Sequence, residues 1–285
     1  MQLLSFGVPA QARALTTLSI TLLASSPVLA VDSAALRSGL QSATGSLSTL
    51  KTIHIAHEGE IIWAEAYNGA SLSASTNIKS ASKTLVATLV GIAIDKGILD
   101  GVDQPIAPLL QDQLPENPDP RLNDITIGHL LSMQAGLERT SGRNYGAWVV
   151  SDNWVKNALA RPFEEEPGGD MQYSTGSTHL LSAILMREAG ESTHSLANRW
   201  LAPAGVRVDS WLRDPQGIPM GGNQVGMTPE SLLALGELFR RDGQTSRRVT
   251  GSAEWFAQQG RMARAVQACG HQACGCRTSR RGHAP

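Results

Sequence analysis

Residues 80–96 read SASKTLVATLVGIAIDK, and their apolar side chains cover nearly the whole circumference of a helix. These side chains are Leu85, Val86, Leu89, Val90, Ile92, Ala93 and Ile94. A helix at a protein surface would keep one polar face. Gly97 follows the run and is typical of a left-handed C-terminal cap. The pattern therefore predicts a helix buried in the middle of a fold.

The flanking sequence predicts further elements. Alternating apolar and polar residues over 52–67, around the pair Glu58-Gly59, predict a β-hairpin. Four more helices are predicted from caps and apolar spacing: Thr126 to Met133, Trp154 to Ala160, Thr178 to Ala189 closed by Gly190, and Thr228-Pro229 to about Arg240. Proline- and aspartate-rich residues 102–123 and residues 139–145 and 162–170 are predicted as loops.

Two early strands followed by a long, mostly helical middle need strand partners from later sequence to complete a sheet. We therefore expect an α/β (α+β) fold, in which an antiparallel sheet is flanked by helices and a mostly helical domain is inserted at about residues 98–225. No repeat or low-complexity linker divides the chain. The site is expected in the cleft between the sheet and the inserted helices.

Composition excludes some classes of partner. The chain has 285 residues, 41% of them hydrophobic, and a formal net charge of -1. A core of useful size is therefore available. Such a balanced charge creates no field that gathers nucleic acid or an anionic membrane surface.

The first thirty residues resemble a secretory signal. Arg13 precedes an apolar stretch from Leu15 to Leu23, and small residues end the segment at Ala30. The stretch is too short to span a bilayer, so we expect cleavage after Ala30, no stable membrane insertion, and a periplasmic or secreted protein.

No metal site is predicted. His54 and His57 lie three residues apart on a predicted strand and so face opposite sides of it. All three cysteines, Cys269, Cys274 and Cys276, fall near the end of the chain, and their spacing with the nearby histidines matches no paired-cysteine zinc site.

Ser80 and Lys83 are the first candidates for chemistry. Positions i and i+3 of a helix share a face, so the hydroxyl and the amine can meet. A serine hydroxyl needs a base, and a lysine acts as one only when burial or nearby charge lowers its pKa. A buried helix supplies that burial, and its N-terminus favours a developing oxyanion. The alternative is a capping serine beside a solvated lysine.

The sequence also resembles the penicillin-binding proteins and class C β-lactamases, with the related esterases and 6-aminohexanoate-dimer hydrolases. The resemblance covers roughly residues 52–240. It is carried by the hairpin, by Ser80-x-x-Lys83, by ITIGHLLSMQAGL at residues 125–137 and by PGGDMQYSTG at residues 167–176.

This resemblance implies a serine hydrolase that forms an acyl-enzyme on Ser80, with Lys83 and Tyr173 handling the proton. Thr175 stands where many relatives carry the asparagine of a Tyr-x-Asn element, so the contact to a substrate amide differs here. Asn144, Tyr145 and Trp148 are candidate cleft residues, and Thr175 and Tyr145 are assigned to substrate binding. The implied substrate is a small ester, amide or β-lactam, and no cofactor is required.

A third family element, a Lys- or His-x-Gly triad on a late strand, is not found in the sequence. After Phe256 the chain becomes rich in Arg, Gly, Ala and Cys, and residues 257–285 are interpreted as an atypical tail, out of frame or disordered, that replaces the final strands. The hydrolase domain then spans residues 31–256. Two alternatives to an active enzyme stay open: an impaired, penicillin-recognising binding protein and a truncated, non-functional fragment.

Overall fold

The computed structural model describes residues 33–244 and residue 255. It divides into two compact units, residues 1–50 and residues 51–285. In the first unit the described residues form helix α1, Ser33–Thr44. The second unit carries the other helices and strands given below. The predicted signal segment and the predicted tail both lie outside the described residues.

A hairpin opens the second unit. Strands β1 (Thr52–His57) and β2 (Glu60–Ala66) pair antiparallel, with His57 opposite Glu60. The connecting residues Glu58 and Gly59 have φ angles of 52° and 92°. Two positive φ angles give the turn the twist of the strands that it joins. The predicted hairpin is therefore confirmed.

The long buried helix is also confirmed, with one change at its start. A short strand β3 (Thr76–Asn77) leads into a 3₁₀ turn, Lys79–Ala81, and then into helix α2, Ser82–Asp95. Ten of the 14 residues of α2 are buried, and Gly97 follows with a φ of 66°. Ser80 therefore lies in the turn that precedes α2 and not in α2 itself.

The middle of the chain is mostly helical. Its α-helices are α3 (Ile127–Leu131), α4 (Tyr145–Val149), α5 (Trp154–Leu159), α6 (Thr175–Ala189) and α7 (Thr193–Trp200). Short 3₁₀ helices occur at Pro108–Gln113, Pro120–Asp124, Gly142–Asn144 and Ala202–Ala204.

Local signals located most of these helices, but not all of their ends. Thr126 caps α3 as predicted, since its Oγ1 accepts a bond from the His129 N–H at 3.2 Å. Helix α3 stops before Met133, because Met133 has a φ of 61° and leaves the helical region. Helix α6 ends at Gly190 as predicted but begins three residues earlier, at Thr175. Helices α4 and α7 were not predicted.

Later sequence returns to complete a second sheet. Strands β4 (Ser210–Trp211) and β5 (Val225–Met227) precede helix α8, Pro229–Arg240, which is capped by Thr228 as predicted. The strand order is β3-β5-β4, all antiparallel, with Asn77 opposite Gly226. An early strand thus finds its partner late in the chain, and the described strands form two small antiparallel sheets.

The core is organised around α2 and α6. Helix α6 packs against α2, α3 and α5, while α8 packs against β1. Leu85, Leu89, Ile184 and Leu185 are fully buried. Each such side chain contributes about 1.5–3 kcal/mol relative to an exposed one. The expected mixed α/β fold is therefore confirmed.

None of the helices in the described ranges combines the length and apolar character that a bilayer crossing requires.

Candidate active site

The turn that carries Ser80 is anchored to strand β5. The Ile78 N–H donates to the Val225 carbonyl at 2.9 Å, directly before the turn. Lys79 has a φ of 50°, which is unusual for a residue with a side chain. Its N–H donates to Asn77 Oδ1 at 2.9 Å, and its carbonyl accepts the Ser82 hydroxyl at 2.7 Å. These contacts hold Ser80 in an exposed position.

Lys83 lies in the first turn of α2, and its amine is surrounded by groups from distant sequence. Nζ donates to the Gly222 carbonyl at 2.7 Å and to Thr175 Oγ1 at 3.4 Å. The Tyr173 ring centroid lies 4.9 Å from Nζ. In the described part of the chain, the hydrogen bonds of Nζ run to Gly222 and Thr175 and not to Ser80.

The environment of Lys83 suits a base. Burial lowers the pKa of the Lys83 amine, and the neighbouring Tyr173 phenol opposes this by raising the pKa. Burial is the larger effect, so the pKa is lower than the ordinary 10.5. A larger fraction of Lys83 is therefore neutral near physiological pH than in a solvated lysine.

Gly222 can approach Lys83 this closely only because it has no side chain. Its φ is 83°, in the region that favours glycine. A Cβ at this position would lie 2.8 Å from both Cγ and Nζ of Lys83. Gly222 was not identified from the sequence. The pair Gly221-Gly222 was its one local signal, and nothing in the sequence linked that pair to Lys83.

The loop that carries Tyr173 is tied to the turn after α3. The Gln172 N–H donates to the Met133 carbonyl at 2.8 Å, and the Gly168 N–H donates to the Gln134 carbonyl at 2.8 Å. The side-chain amide of Gln134 adds a bond to the Gly169 carbonyl at 2.7 Å. The two sequence segments that carried the resemblance, residues 125–137 and 167–176, are therefore held together by hydrogen bonds.

The start of α6 is capped by a neighbouring loop. Ser141 Oγ accepts from the Thr175 N–H at 2.9 Å, and Thr140 Oγ1 accepts from the Gly176 N–H at 2.7 Å. The first N–H groups of a helix have no partner within it, so these bonds meet a need of every helix. They also place Thr175 beside Lys83. Thr140 and Ser141 were missed because their acceptor role depends on residues more than thirty positions away.

Tyr145 lies next to this arrangement and is linked to it through Asn223. The Asn223 side-chain amide donates to the Tyr145 hydroxyl at 3.2 Å. Burial raises the pKa of the Tyr145 phenol, and the bond from Asn223 opposes the rise. Asn144 instead donates to the Arg139 carbonyl at 2.9 Å. Trp148 is fully buried, so it belongs to the core and not to a cleft.

The structure thus brings Lys83, Tyr173 and Thr175 together, places Ser80 in the turn before Lys83, and places Tyr145 one contact further away. Within the described ranges, no group of three or more His, Cys, Asp or Glu side chains could hold a metal ion. The arrangement offers an exposed hydroxyl, a half-buried amine and a phenol, which together are suited to nucleophilic catalysis.

A family model matches most of the sequence. The model for the β-lactamases matches residues 50–272, which is more than three quarters of the chain. The chain belongs to the β-lactamase family. This match begins just before the hairpin, includes every site residue named above, and continues past Phe256.

Solved structures of β-lactamase relatives share the fold. A protein assigned as a 6-aminohexanoate-dimer hydrolase, from Bacillus anthracis, has a TM-score of 0.62 at 16% identity, over 78% of this chain and 61% of that one. A penicillin-binding protein homologue from Pyrococcus abyssi has a TM-score of 0.59 at 18% identity, over 79% and 59%. A class C β-lactamase from Rhodobacter sphaeroides has a TM-score of 0.58 at 16% identity, over 79% and 70%.

These likenesses are structural, since the identities are low. The chain spans less than two thirds of the length of the Bacillus and Pyrococcus proteins. No curated protein matches the sequence. The comparisons therefore establish the family and the fold, and this family is one of hydrolases.

Proposed function

We propose that this protein is a serine hydrolase that cleaves an ester or amide bond through an acyl-enzyme on Ser80. The observation that carries the proposal is the position of the Lys83 amine. It is half-buried, three residues after an exposed serine, and it contacts Thr175 and the ring of Tyr173. A lysine that served only solubility would extend into water.

In the first step, Ser80 Oγ attacks the substrate carbonyl carbon. Neutral Lys83, assisted by Tyr173, accepts the hydroxyl proton as the new C–O bond forms. The tetrahedral intermediate then expels its alcohol or amine, which takes up the proton as it leaves. Proton transfer by a positioned side chain contributes about 10²–10⁴-fold to the rate. The lowered pKa of Lys83 supports its role as the acceptor.

In the second step, water attacks the acyl-enzyme and releases the acid, and the proton returns to Ser80. The backbone N–H of Ser80, at the start of a helical segment, is the proposed donor to the oxyanion. One such donor contributes about 2.7–4 kcal/mol to transition-state stabilisation.

We assign Thr175 and Tyr145 to substrate binding, and a small ester, amide or β-lactam as substrate. Thr175 offers a hydroxyl beside the Lys83 amine, and Tyr145 is the half-buried phenol joined to Asn223. Hydrolysis of p-nitrophenyl acetate, nitrocefin and a linear 6-aminohexanoate dimer by the purified protein distinguishes these substrates.

Covalent labelling tests the nucleophile. A fluorescent fluorophosphonate is expected to label the full chain once, and Ser80→Ala is expected to abolish the label. Ser73→Ala is a matched control, since Ser73 is an exposed serine whose hydroxyl bonds only Ser71 among the described residues. Labelling that persists in folded Ser80→Ala protein contradicts the proposal.

A second candidate is a penicillin-recognising protein that binds without turnover. It is favoured by the hydrogen bonds of Lys83, which run to Gly222 and Thr175. A fluorescent penicillin separates the two functions. An active hydrolase releases the acyl group and regains free Ser80, whereas the binding protein either stays labelled or binds reversibly.

We also propose export and a domain organisation. The features of residues 1–30 support a cleaved signal and a periplasmic or secreted location. We assign the hydrolase domain to residues 31–256, with a helical insertion at about residues 98–225. Amino-terminal sequencing of the protein recovered outside the cytoplasm is expected to begin at Val31. An intact start at Met1 in that fraction contradicts the cleavage.

A further inference from the structure

A buried histidine–aspartate pair, joined by a hydrogen bond, lies behind the candidate site and has no part in the steps above. His179 on α6 and Asp214 have fully buried side chains, and Nε2 and Oδ2 lie 3.1 Å apart. The other carboxylate oxygen, Oδ1, accepts the N–H groups of Gln216 and Ile218 at 2.9 and 2.8 Å. Every carboxylate oxygen of Asp214 is thus hydrogen-bonded, as a buried acid requires.

The second nitrogen of His179 reaches the glycine pair. The Gly221 N–H donates to His179 Nδ1 at 3.3 Å. A backbone N–H can only donate, so Nδ1 must accept and carries no proton. Nε2 therefore carries the proton and donates it to Asp214. The partners of the ring specify one neutral tautomer.

The ring has no freedom to turn. Trp148 and Trp154 meet the imidazole edge-on, with ring centroids 5.6 and 5.5 Å from it. Gly221 in turn lies against the backbone of α6, where a Cβ would come within 2.1 Å of the Thr178 carbonyl oxygen. The pair is packed too tightly to act on a substrate itself.

The next residue along the chain holds Lys83. The Gly222 carbonyl accepts from Nζ at 2.7 Å, so a continuous series of bonds runs from Asp214 through His179 and the glycine pair to the amine. Lysine has a flexible stem and three rotatable donors, and a fixed acceptor restricts where the remaining donors point.

We propose that His179, oriented by Asp214, is a positioning residue that fixes Gly221 so that the Gly222 carbonyl holds the Lys83 amine in place. This inference rests on the proposed function for its catalytic consequence. Its structural part, the control of Lys83 by His179, does not require that the chain be active.

Two substitutions of His179 each remove one of its two hydrogen bonds, to Gly221 or to Asp214, and keep the other. The side-chain oxygen of His179→Asn replaces Nδ1 and keeps an acceptor for Gly221, but its amide does not reach Asp214. The side-chain amide of His179→Gln replaces Nε2 and keeps the donor to Asp214, but leaves the Gly221 N–H without an acceptor. His194→Gln is the matched control, because His194 bonds the Val208 carbonyl at 2.9 Å, away from Lys83.

The two His179 variants are expected to rank in opposite order in kcat and in Tm. His179→Gln should lower kcat for p-nitrophenyl acetate by about 10–100-fold, with KM within about twofold, because misplacing a catalytic group costs on this scale. His179→Asn should keep kcat within about threefold of that of the unsubstituted protein, yet have the lower Tm, since it leaves a buried carboxylate oxygen unpaired. A purely structural role makes kcat follow Tm, and that result overturns the proposal.

A readout without turnover completes the test. Competitive acetylation of the full chain over a pH series, followed by mass spectrometry of the peptide with Lys83, measures the pKa of that amine. His179→Gln is expected to lower the midpoint by about one unit, since the ammonium loses a carbonyl acceptor. His179→Asn and His194→Gln should leave the midpoint unchanged. Tyr173 is the titratable group that faces Lys83 in the described structure, and it is unaltered in all three.

The experiments distinguish a failure of the proposed hydrolase function from a failure of the proposed role of His179. If the unsubstituted protein neither labels nor hydrolyses, the proposed function fails, while the acetylation midpoints still decide whether His179 controls Lys83. If the midpoint is unchanged in His179→Gln, the positioning role is wrong whatever the activity.

Discussion

The turn that carries Ser80 and the loop that carries Tyr173 both approach Lys83, but they are held in different ways. The Ser80 turn is anchored by one main-chain bond, from Ile78 to Val225, and its next residue is held by side chains: Asn77 accepts the Lys79 N–H, and Ser82 bonds the Lys79 carbonyl. That residue, Lys79, has a left-handed φ of 50°. Side chains therefore support the strained part of this turn.

The Tyr173 loop depends largely on the backbone. Bonds from Gln172 to Met133 and from Gly168 to Gln134 join main-chain atoms, so they use no polar side chain. The two sides of one site therefore differ in their sensitivity to substitution. Changes near Ser80 should affect reactivity more than equivalent changes near Tyr173.

Lys83, where the two sides meet, should show the largest effect. Lys83→Met is expected to lower the rate of fluorophosphonate labelling of Ser80 by about 10²–10⁴-fold, since the general base is lost. The labelling reaction is stopped at several times, and the fluorescence of the protein band on a gel gives the rate. A change of less than tenfold shows that Lys83 is not the base.

The same substitution tests the lowered pKa through stability. The folded state binds the Lys83 proton more weakly than the unfolded state, so stability rises with pH between the folded pKa and the ordinary 10.5. Lys83→Met should remove this rise. Urea unfolding at a series of pH values from 7 to 10.5 measures the free energy of unfolding of both proteins. If this free energy changes equally with pH in the two proteins, the pKa of Lys83 is not lowered.

Ser141→Ala should have the next largest effect. It leaves the buried Thr175 N–H without an acceptor, which costs about 1–3 kcal/mol of unfolding free energy. Because Thr175 also contacts Lys83, labelling should slow as well. Thr228→Ala is the control: it removes the cap of α8, at a cost of about 1 kcal/mol, away from the site. Equal labelling rates in the two variants would show that the α6 cap has no influence on Lys83.

The contrast between the two sides is tested directly by Asn77→Ala and Gln134→Ala. Both remove side-chain hydrogen bonds to the backbone, worth about 0.5–1.5 kcal/mol each. Asn77→Ala should slow labelling by about tenfold, because the Ser80 turn relaxes and displaces a reacting group. Gln134→Ala should leave the rate within about twofold. The reverse order would refute the comparison.

The smallest effect is expected at Lys79. Lys79→Gly removes the steric cost of a left-handed conformation, which is about 1–2 kcal/mol. It also stabilises the unfolded state by about 0.4–1 kcal/mol, because glycine gives the unfolded chain more conformational entropy. The free energy of unfolding should therefore rise by about 1 kcal/mol or less. Thermal unfolding monitored by circular dichroism measures it, and a clear loss of stability means that Lys79 makes contacts that outweigh the strain.

Elements with local causes were predictable. The hairpin follows from alternation and a two-residue turn, α2 from its apolar run, and α8 from the pair Thr228-Pro229. Helix ends set by distant contacts were not. Helix α6 begins at Thr175 because Thr140 and Ser141 accept its first N–H groups, and no pattern within the helix shows this.

The candidate site divides in the same way. Ser80 and Lys83 were selected because they are three positions apart in a predicted helix, and the place of Tyr173 came from the resemblance of its loop to known hydrolases. Gly222, His179 and Asp214 were not identified. His179 lies on a helix that was predicted, but only folding brings Gly221 to its ring.

The sequence alone therefore determines the helix and hairpin that frame the site, because hydrophobic spacing and turn geometry act over a few positions. The tertiary structure decides how Lys83 is held, because its acceptor arrives on a segment more than a hundred residues away, carried there by the pairing of β3 with β5. The depressed pKa of that lysine likewise depends on burial by the whole core, which no short segment specifies.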